Sequence, residues 1–311
     1  MIYTFMGGRL GNQMFRYATT RAIYEKNQTG VFLDFERVTN GRKKETDYYN
    51  SLKDFNINSD FVILNDKEPF NEPQNNICKF LKKYNKFIKK IGYEKTISFM
   101  FTKIMNLMFK NVNILFFDDY YNYNFNLVQN DYYIYGCCES SKYFNEIRET
   151  LLYEFTPKKE LRKEYRDFFE LICNTNSVCI SIRRWNPERP ELETIMGVTQ
   201  REYYIKGIKI LKKKLKNPKF FVFSNDPDWA KKFLQIDNLI FEPQGLFVSE
   251  KLQLMYSCNH FIIPNSTFAW WAQYLCRNPN KIVIAPKYWS KVKYRNNDLT
   301  EDYFITLDNF E

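Results

Sequence analysis

The 311-residue chain contains little histidine, glycine or proline. It has one His, 10 Gly and 11 Pro. So little Gly and Pro excludes collagen-like and Pro-rich fibrous architectures. No repeat with a period of about 20 to 50 residues is visible, which disfavours solenoids and propellers.

The seven cysteines also lack the spacing of a structural zinc site. Cys137 and Cys138 are adjacent, Cys173 and Cys179 are six positions apart, and no CxxC pair occurs. Zinc sites use closely spaced Cys and His ligands, so this class is excluded. The odd number predicts reduced thiols, mostly buried and inert, in a cytoplasmic protein.

Long apolar runs are absent as well. The most apolar stretch, residues 97–117, is interrupted by Lys103, Asn106, Lys110 and Asn111. Because a spanning helix needs about 20 mostly apolar residues, we expect no transmembrane segment. The first 15 residues, MIYTFMGGRLGNQMF, do not resemble a signal peptide, which again favours a cytoplasmic location.

Aromatic and basic residues, by contrast, are abundant. Aromatics make up 18% and hydrophobic residues 44% of the chain, enough for a sizeable packed core. The length suggests two domains. The 46 Lys and Arg exceed the 36 Asp and Glu, which gives a net charge of +10.

Much of the basic excess falls in residues 78–110, where apolar residues recur at helical spacing. The other helix face carries lysines, which fits either a solvated face or peripheral contact with an anionic membrane. A nucleic-acid partner is not expected, because no helix-turn-helix, zinc-finger or RNP motif accompanies the charge. The lysines of this face are Lys79, Lys82, Lys83, Lys86, Lys89 and Lys90.

Strand and helix patterns alternate along much of the chain. A short apolar run at 2–6, a glycine turn and a helix at 13–26 open it. After residue 158, strands at 177–182, 219–224, 239–242 and 261–264 are separated by helices near 201–215, 229–234 and 251–258, with a helix near 159–173 before them. This alternation predicts an α/β fold with parallel sheets, whose ligands bind beyond the carboxyl ends of the strands.

Two loops at predicted strand ends carry donors for a ligand. In the glycine turn, Gly8 and Gly11 allow close backbone approach, and Asn12 and Gln13 offer amides that could hold sugar hydroxyls. The turn matches neither common phosphate-loop pattern, so a plain tight turn is the alternative. Arg183 and Arg184 follow the strand SVCISI and would suit a diphosphate; structural salt bridges are the alternative.

A third loop has three interpretations. Asp226, two residues after Ser224, could face a guanine base and accept from its N1–H and amino group. Asp226 and Asp228 could instead form a DxD metal site. The simplest interpretation makes Asp226 a helix N-cap, because an Asp before Pro and a helical run is a common cap.

The fourth loop is polar and leads into a helix that runs to about residue 275. A diphosphate at this helix start would meet backbone N–H groups, hydroxyls and the positive end of the helix dipole. Ordinary helix capping is the alternative. The loop contributes Asn265, Ser266, Thr267 and Phe268.

These segments together resemble the inverting α-1,2-fucosyltransferases, a family that uses GDP-fucose and adopts the GT-B fold. The resemblance rests on GGRLGNQMFRYA (7–18), GCCESSKYF (136–144), SIRR (181–184) with FVFSNDPDWAK (221–231), and HFIIPNSTFAWWAQYL (260–275). It implies a donor-phosphate role for Arg183 and a reaction-centre role for Asn12.

The sequence departs from the family at its arginine motif, which normally reads His-x-Arg-Arg-x-Asp. Ser181 replaces the His and Asn186 replaces the Asp. Asn cannot act as a general base, and Ser cannot replace an imidazole in stacking or charge. Glu188 and Glu191 are candidate bases in their place, with Glu139 a more distant one.

The resemblance therefore implies two Rossmann-like domains with parallel sheets facing a cleft. Residues 1–157 would form the acceptor side, with a basic helical insertion at about 78–117, and residues 158–311 would bind the GDP-sugar. The expected reaction is inverting transfer of fucose from GDP-fucose, without metal or cofactor, to a hydroxyl of a surface glycan or lipid-linked oligosaccharide, O2 of a galactoside. The alternatives are a metal-dependent transferase using another nucleotide sugar and a non-catalytic glycan- or nucleotide-binding relative.

Overall fold

The computed structural model describes residues 1–35, 38, 49–59, 62–65, 114–117, 132–184, 190–291 and 298–310. The chain divides into two compact units, the first mainly within residues 1–154 and the second mainly within 155–311, with residues 54–56 belonging to the second. Most of the predicted basic insertion lies outside the described residues. Residues 114–117, at the end of the segment predicted at about 78–117, form a strand, and a helix in the rest of the segment stays a prediction.

The first unit contains a five-stranded parallel sheet. Its strands are β1 (Ile2–Phe5), β2 (Val31–Asp34), β3 (Val62–Asn65), β4 (Ile114–Phe117) and β5 (Tyr132–Gly136). They lie in the order β3-β2-β1-β5-β4, and every pairing is parallel. The strand order reverses between β1 and β5, so the glycine turn after β1 lies at the reversal.

Two helices of this unit share a buried polar network. Helix α1 (Leu10–Asn27) follows β1, and helix α2 (Arg148–Glu154) ends on a buried carboxylate. Glu154 accepts hydrogen bonds from the Tyr17 hydroxyl at 2.7 Å and from Arg21 Nε at 2.9 Å. This paired charge fixes the two helices to each other, because a buried carboxylate is tolerated only when it is hydrogen-bonded.

The second unit contains a six-stranded parallel sheet. Its strands are β6 (Ser177–Ile182), β7 (Lys219–Ser224), β8 (Leu239–Phe241), β9 (His260–Ile262), β10 (Val283–Pro286) and β11 (Ile305–Leu307). Their order is β11-β10-β9-β6-β7-β8, with every pairing parallel. Numbered within the unit, this is the 3-2-1-4-5-6 order of a doubly wound dinucleotide-binding sheet.

Helices cover both faces of this second sheet. The helices of this unit among the described residues are α3 (Arg166–Cys173), α4 (Pro190–Met196), α5 (Arg201–Lys214), α6 (Pro227–Leu234), α7 (Val248–Tyr256) and α8 (Thr267–Leu275). Phe220 and Val222 of β7 pack in the same core cluster as residues of α5, whereas Phe221 and Phe223 meet the ring of Phe168 on α3 edge to face. Side chains alternate between the faces of a strand, so a continuous apolar run is what a sheet covered on both faces requires.

The α/β class and the parallel sheets are confirmed. Strands β6 and β7 have the predicted bounds, and α5 ends one residue earlier than predicted. The predicted helix at 159–173 is shorter: a single 3-10 turn at Lys163–Tyr165 precedes α3. Trp270 and Trp271 are fully buried packing residues. Four of the described cysteines, Cys138, Cys179, Cys258 and Cys276, are buried free thiols, whereas Cys173 is exposed.

Candidate active site

Two of the predicted polar loops follow neighbouring strands at the strand-order reversal of the second sheet. Strands β6 and β9 lie side by side, and the chain winds away from them in opposite directions. Arg183 and Arg184 come directly after β6, and Asn265 to Thr267 come shortly after β9. Ligands of doubly wound sheets bind outside the carboxyl ends of the strands at such a reversal. The structure therefore brings these two loops to one edge.

The backbone of Arg184 is held by the loop after β7. Its N–H donates to Asn225 Oδ1 and its carbonyl accepts from Asn225 Nδ2, each at 2.9 Å. Its guanidinium donates to Asp226 Oδ2 at 2.5 Å and lies over the Trp229 ring, 5.5 Å from the centroid. Arg183 is half-buried beside it. These contacts fix the direction in which the arginine pair leaves β6.

Asp226 is the N-cap of α6. Its Oδ1 accepts from the Trp229 N–H at 3.0 Å, and Pro227 occupies the first helical turn. The Trp229 N–H and the Arg184 guanidinium hold the pKa of this carboxyl below its usual range. Both oxygens thus accept a hydrogen bond within the chain. The capping interpretation is confirmed, whereas a contact between Asp226 and a guanine base stays a prediction.

The DxD interpretation finds no support in the donor set. Asp228 is exposed in the first turn of α6, while Asp226 is committed to the cap and to Arg184. Among the residues that the structure describes, no group of three or more His, Cys, Asp or Glu side chains could hold a metal ion.

Ser224 is buried, and its hydrogen bonds connect the Asp226 turn to the carboxylate of Glu242, which the sequence analysis did not single out. Its hydroxyl bonds to the backbone of Asp226, and its N–H donates to Glu242 Oε1 at 2.7 Å. Glu242 also accepts from Lys251 Nζ at 3.0 Å. Burial raises the pKa of Glu242 despite the lysine. The sequence signal that could have identified Glu242 is its position directly after a short strand, because such a position lies at the carboxyl edge of the sheet.

Asn265 and Ser266 are neighbours with different surroundings. Asn265 is buried; its Nδ2 donates to the carbonyls of Met196 at 2.7 Å and Gly197 at 3.3 Å, and its Oδ1 accepts from Thr199 Oγ1 at 3.1 Å. These three hydrogen bonds hold the chain after α4, and a direct contact of Asn265 with the donor stays a prediction. Ser266 is the N-cap of α8, and its side chain makes no capping hydrogen bond with any described residue.

The start of α8 has the features of an anion site. Ser266, Thr267 and Phe268 are all partly exposed, whereas the rest of the helix is buried. The first-turn N–H groups of a helix have no intrahelical acceptor, and the helix dipole favours negative charge there. Phosphate oxygens would find N–H donors and two hydroxyls at this point.

The glycine turn of the first unit is tightly built. Gly8 has φ +73°, and a Cβ added there would lie 2.8 Å from the Cβ of Asn12. Gln13 is fully buried: its Nε2 donates to the carbonyls of Gly8 and Tyr49, and its Oε1 accepts from the Ser51 N–H. Gln13 therefore holds the turn rather than presenting its amide to a ligand. Gly11 is buried in α1, and Asn12 is half-buried.

The residues considered in place of the missing motif members are only partly described. Ser181 is a buried residue of β6. Asn186 and Glu188 lie outside the described residues, and Glu191 belongs to α4, whose first residues are described by their backbone alone. Glu139 is half-buried, three residues after β5. The general base stays a prediction.

Comparisons with known proteins cover nearly the whole chain. A sequence model of the family described as "Glycosyl transferase family 11" matches residues 1–305. The chain is 30% identical over 291 residues to an "Alpha-1,2-colitosyltransferase" of Escherichia coli, covering 91% of this chain and 90% of that protein. It is 26% identical over 318 residues to the "O-antigen biosynthesis glycosyltransferase WbnK" of Escherichia coli, covering 98% and 100%.

More distant similarities concern fucosyltransferases. Over 151 residues the chain is 28% identical to the mouse "Galactoside 2-alpha-L-fucosyltransferase Sec1", covering 45% of this chain and 40% of that protein. Among solved structures, the fucosyltransferase NodZ from Bradyrhizobium is 13% identical with a TM-score of 0.49, covering 91% of this chain and 94% of that one. A mutant of Arabidopsis thaliana FUT1 in complex with GDP is also 13% identical with a TM-score of 0.49, covering 93% and 71%.

Proposed function

The chain belongs to glycosyltransferase family 11, and from this membership we propose that it transfers fucose from GDP-fucose to a glycan hydroxyl, O2 of a galactoside. The acceptor is an oligosaccharide or lipid-linked glycan of surface-polysaccharide assembly. Family membership and the named relatives support this proposal.

One observation carries the placement of the donor in the second unit. The Arg183–Arg184 loop and the Asn265–Thr267 loop follow β6 and β9, the two strands that flank the reversal of a 3-2-1-4-5-6 sheet. Guanidinium groups and a helix N-terminus both bind phosphate oxygens. A nucleoside diphosphate is the sugar carrier whose charge this edge matches.

The chemistry then requires stabilisation of a leaving diphosphate. The acceptor hydroxyl attacks the anomeric carbon opposite the diphosphate, which inverts the configuration. Negative charge grows on the diphosphate as the bond to the sugar breaks, and Arg183, Arg184 and the first-turn N–H groups of α8 offset it. In this scheme the arginine pair and the N-terminus of α8 supply the positive charge that a metal ion supplies in metal-dependent transferases.

The first unit supplies the acceptor side of the proposal. Asn12 lies beside the glycine turn, at the strand-order reversal of its own sheet. There its amide would hold a sugar hydroxyl. Glu188 and Glu191 are the proposed sources of a base, which would contribute modestly because most of the barrier reduction falls to the phosphate site.

The donor class is tested by thermal-shift and calorimetric titration with GDP, UDP and CDP, each with and without EDTA. We expect GDP alone to stabilise the protein, equally in EDTA, and Arg183→Ala to lose most of that effect. A preference for UDP, or a need for divalent metal, would contradict the proposal. A protein that binds GDP but turns over no donor would be a non-catalytic relative.

Colitose is a second candidate for the donor sugar, because the relative at 30% identity is named a colitosyltransferase. Parallel assays with the GDP derivatives of fucose and colitose, using β-galactosides as acceptors, separate the two. We expect kcat/KM to favour fucose, and mass spectrometry with linkage analysis to show an α-1,2 product. A preference for colitose would replace the sugar while leaving the donor site as proposed.

We also propose that the basic segment at 78–110 makes peripheral contact with an anionic membrane on the cytoplasmic side. No helix among the described residues is long and apolar enough to cross a bilayer. Lysines beside an anionic surface contribute roughly 1 kcal/mol each. Co-sedimentation with phosphatidylglycerol vesicles should be lost when Lys82, Lys83, Lys86 and Lys89 are replaced by Gln; a variant that still sediments would contradict this contact.

A further inference from the structure

An ion pair between a buried carboxylate and a partly exposed lysine lies at the carboxyl edge of the second sheet, beside the proposed donor loops. Glu242 follows β8, and its side chain is 2% exposed. Its Oε1 accepts from Lys251 Nζ at 3.0 Å and from the Ser224 N–H at 2.7 Å. Lys251, on α7, also donates to the Ser224 carbonyl at 2.7 Å. Both backbone groups of Ser224 are therefore held by this pair.

The Glu242–Lys251 pair is not expected to add much to the free energy of unfolding. Glu242 Oε2 is buried and accepts no hydrogen bond from any residue that the structure describes. A buried carboxylate with an unsatisfied oxygen loses hydration that its partners only partly replace, and apolar residues of similar size often serve stability as well or better. A charged pair at this place therefore points to a need for one particular loop geometry.

A continuous set of hydrogen bonds leads from the pair to the arginine loop. The Ser224 hydroxyl bonds to the backbone of Asp226, whose carboxylate caps α6 and holds the Arg184 guanidinium. Asn225, between them, forms two hydrogen bonds with the Arg184 backbone. Movement at the end of β7 would thus move Arg184 and, with it, the adjoining Arg183.

We propose that Glu242 is a positioning residue of the donor site: through Ser224 and the loop 224–226 it sets the backbone of Arg183 and Arg184 for the donor diphosphate. The role in donor binding rests on the proposed function, whereas the control of the loop does not. Glu242 does not contact the donor in this scheme, because its carboxylate is buried behind Ser224.

The loop control is tested without any ligand. Hydrogen–deuterium exchange is compared among the wild type, Glu242→Ala, Glu242→Gln and Asn176→Ala. Asn176 bonds to Lys216 and His260 at the opposite, amino edge of the same sheet, so its replacement weakens the unit away from the loop. We expect Glu242→Ala to speed exchange in peptides covering 183–184 and 224–229 about tenfold. Glu242→Gln, which keeps an acceptor for the Ser224 N–H, should stay near wild type.

Steady-state kinetics with GDP-fucose test the consequence for the donor. We expect Glu242→Ala to raise the donor KM about tenfold and to leave the acceptor KM within about twofold, with most of the loss restored by Glu242→Gln. Asn176→Ala should lower thermal stability without raising the donor KM. A merely destabilised enzyme lowers the active fraction, and hence the apparent kcat, rather than the donor KM.

The outcomes separate the two proposals. If Glu242→Ala exchanges like wild type at 224–229, or if Asn176→Ala opens the same peptides equally, the positioning role is overturned. If the exchange effect appears but the wild type binds no GDP, the loop control stands and the proposed function fails. If GDP binds and the loop opens while the donor KM is unchanged, the link from Glu242 to the donor is overturned.

Discussion

Two adjacent residues after β9 have opposite relations to their surroundings. Asn265 uses its whole amide to hold the Met196 and Gly197 carbonyls and the Thr199 hydroxyl. Ser266 is partly exposed and makes no capping hydrogen bond within the described structure. A residue that is satisfied internally serves the fold, whereas a hydroxyl at a helix start is available to a ligand.

This contrast predicts a matched pair of results. Asn265→Ala should lower the free energy of unfolding by about 1 to 3 kcal/mol, because buried partners lose their hydrogen bonds. Ser266→Ala should change it by less than about 0.5 kcal/mol while weakening GDP binding. Urea denaturation and calorimetry measure the two effects. The reverse pattern would mean that the roles of the two residues are exchanged.

The single histidine gives a clean pH prediction. The His260 Nδ1 accepts from the Ile282 N–H at 3.0 Å, so the neutral ring carries its proton on Nε2, which faces Asn176 Oδ1 at 3.1 Å. Burial lowers the pKa of His260 from its usual 6.5. As the pH falls below about 6.5, the unfolded chain takes up a proton before the folded chain does.

Stability should therefore decrease as the pH is lowered from about 7.5 to about 5, and the decrease should level off below the folded pKa of this group. The measurement is the urea midpoint as a function of pH in the wild type and in His260→Gln. The variant will be less stable at neutral pH, but its curve should be flatter over this range. Parallel curves would show that His260 does not titrate between the two states.

At the scale of elements, the start of α6 separates structural from metal-binding interpretations. Asp226→Ala removes the N-cap and the Arg184 partner, and should cost roughly 1 kcal/mol of stability with a marked loss of activity. Asp228→Ala, on an exposed position of the same helix turn, should change stability by less than about 0.5 kcal/mol and leave activity largely intact. Equal loss of activity in both variants would favour the DxD alternative.

The glycine turn before α1 is similarly testable. In Gly8→Ala an alanine must adopt φ +73°, and its Cβ lies 2.8 Å from the Cβ of Asn12. We expect a loss of about 1 to 2 kcal/mol in stability, because left-handed backbone costs this much in a non-glycine residue. Acceptor KM should rise, since Asn12 must shift. Unchanged stability and kinetics would show that the turn adopts another conformation.

Element prediction from the sequence succeeded where one physical signal was strong. Strands β6 and β7 are continuous apolar runs bounded by polar residues, and their bounds were correct. Strands β2 to β5, β10 and β11 and helices α2 and α4, each three to seven residues long, were not predicted, because patterns this brief give only a weak periodic signal.

The site was predicted by position and less well by side-chain role. The rule that ligands lie at the carboxyl ends of parallel strands selected loops that the structure places after strands β1, β6, β7 and β9, and their binding of a ligand stays a prediction. It could not show that the side-chain amides of Gln13 and Asn265 donate hydrogen bonds to backbone carbonyls, one 36 and the other 69 positions away in the chain. Glu242 was missed for the same reason, since its partners Ser224 and Lys251 become neighbours only through sheet order.

At the scale of the whole molecule, charge is unevenly distributed along the sequence. Residues 78–110 contain nine Lys and one Glu, so this segment holds most of the net charge of +10. A protein of this charge attracts anions from beyond contact distance. The donor nucleotide and an anionic lipid surface are both anionic, so the same field serves both partners proposed for this chain.

Long-range attraction of the donor makes a salt-dependent prediction. Between about 0.01 M and 0.1 M salt the Debye length falls from about 30 Å to about 10 Å, so steering by distant lysines is largely screened. We expect kcat/KM for GDP-fucose to fall at least about threefold over this range, while the KM of a neutral acceptor stays constant. Replacing Lys82, Lys83, Lys86 and Lys89 by Gln should weaken the salt dependence without changing kcat at saturating donor. Salt-independent kcat/KM in the wild type would show that long-range attraction by the molecule's charge does not contribute to donor capture.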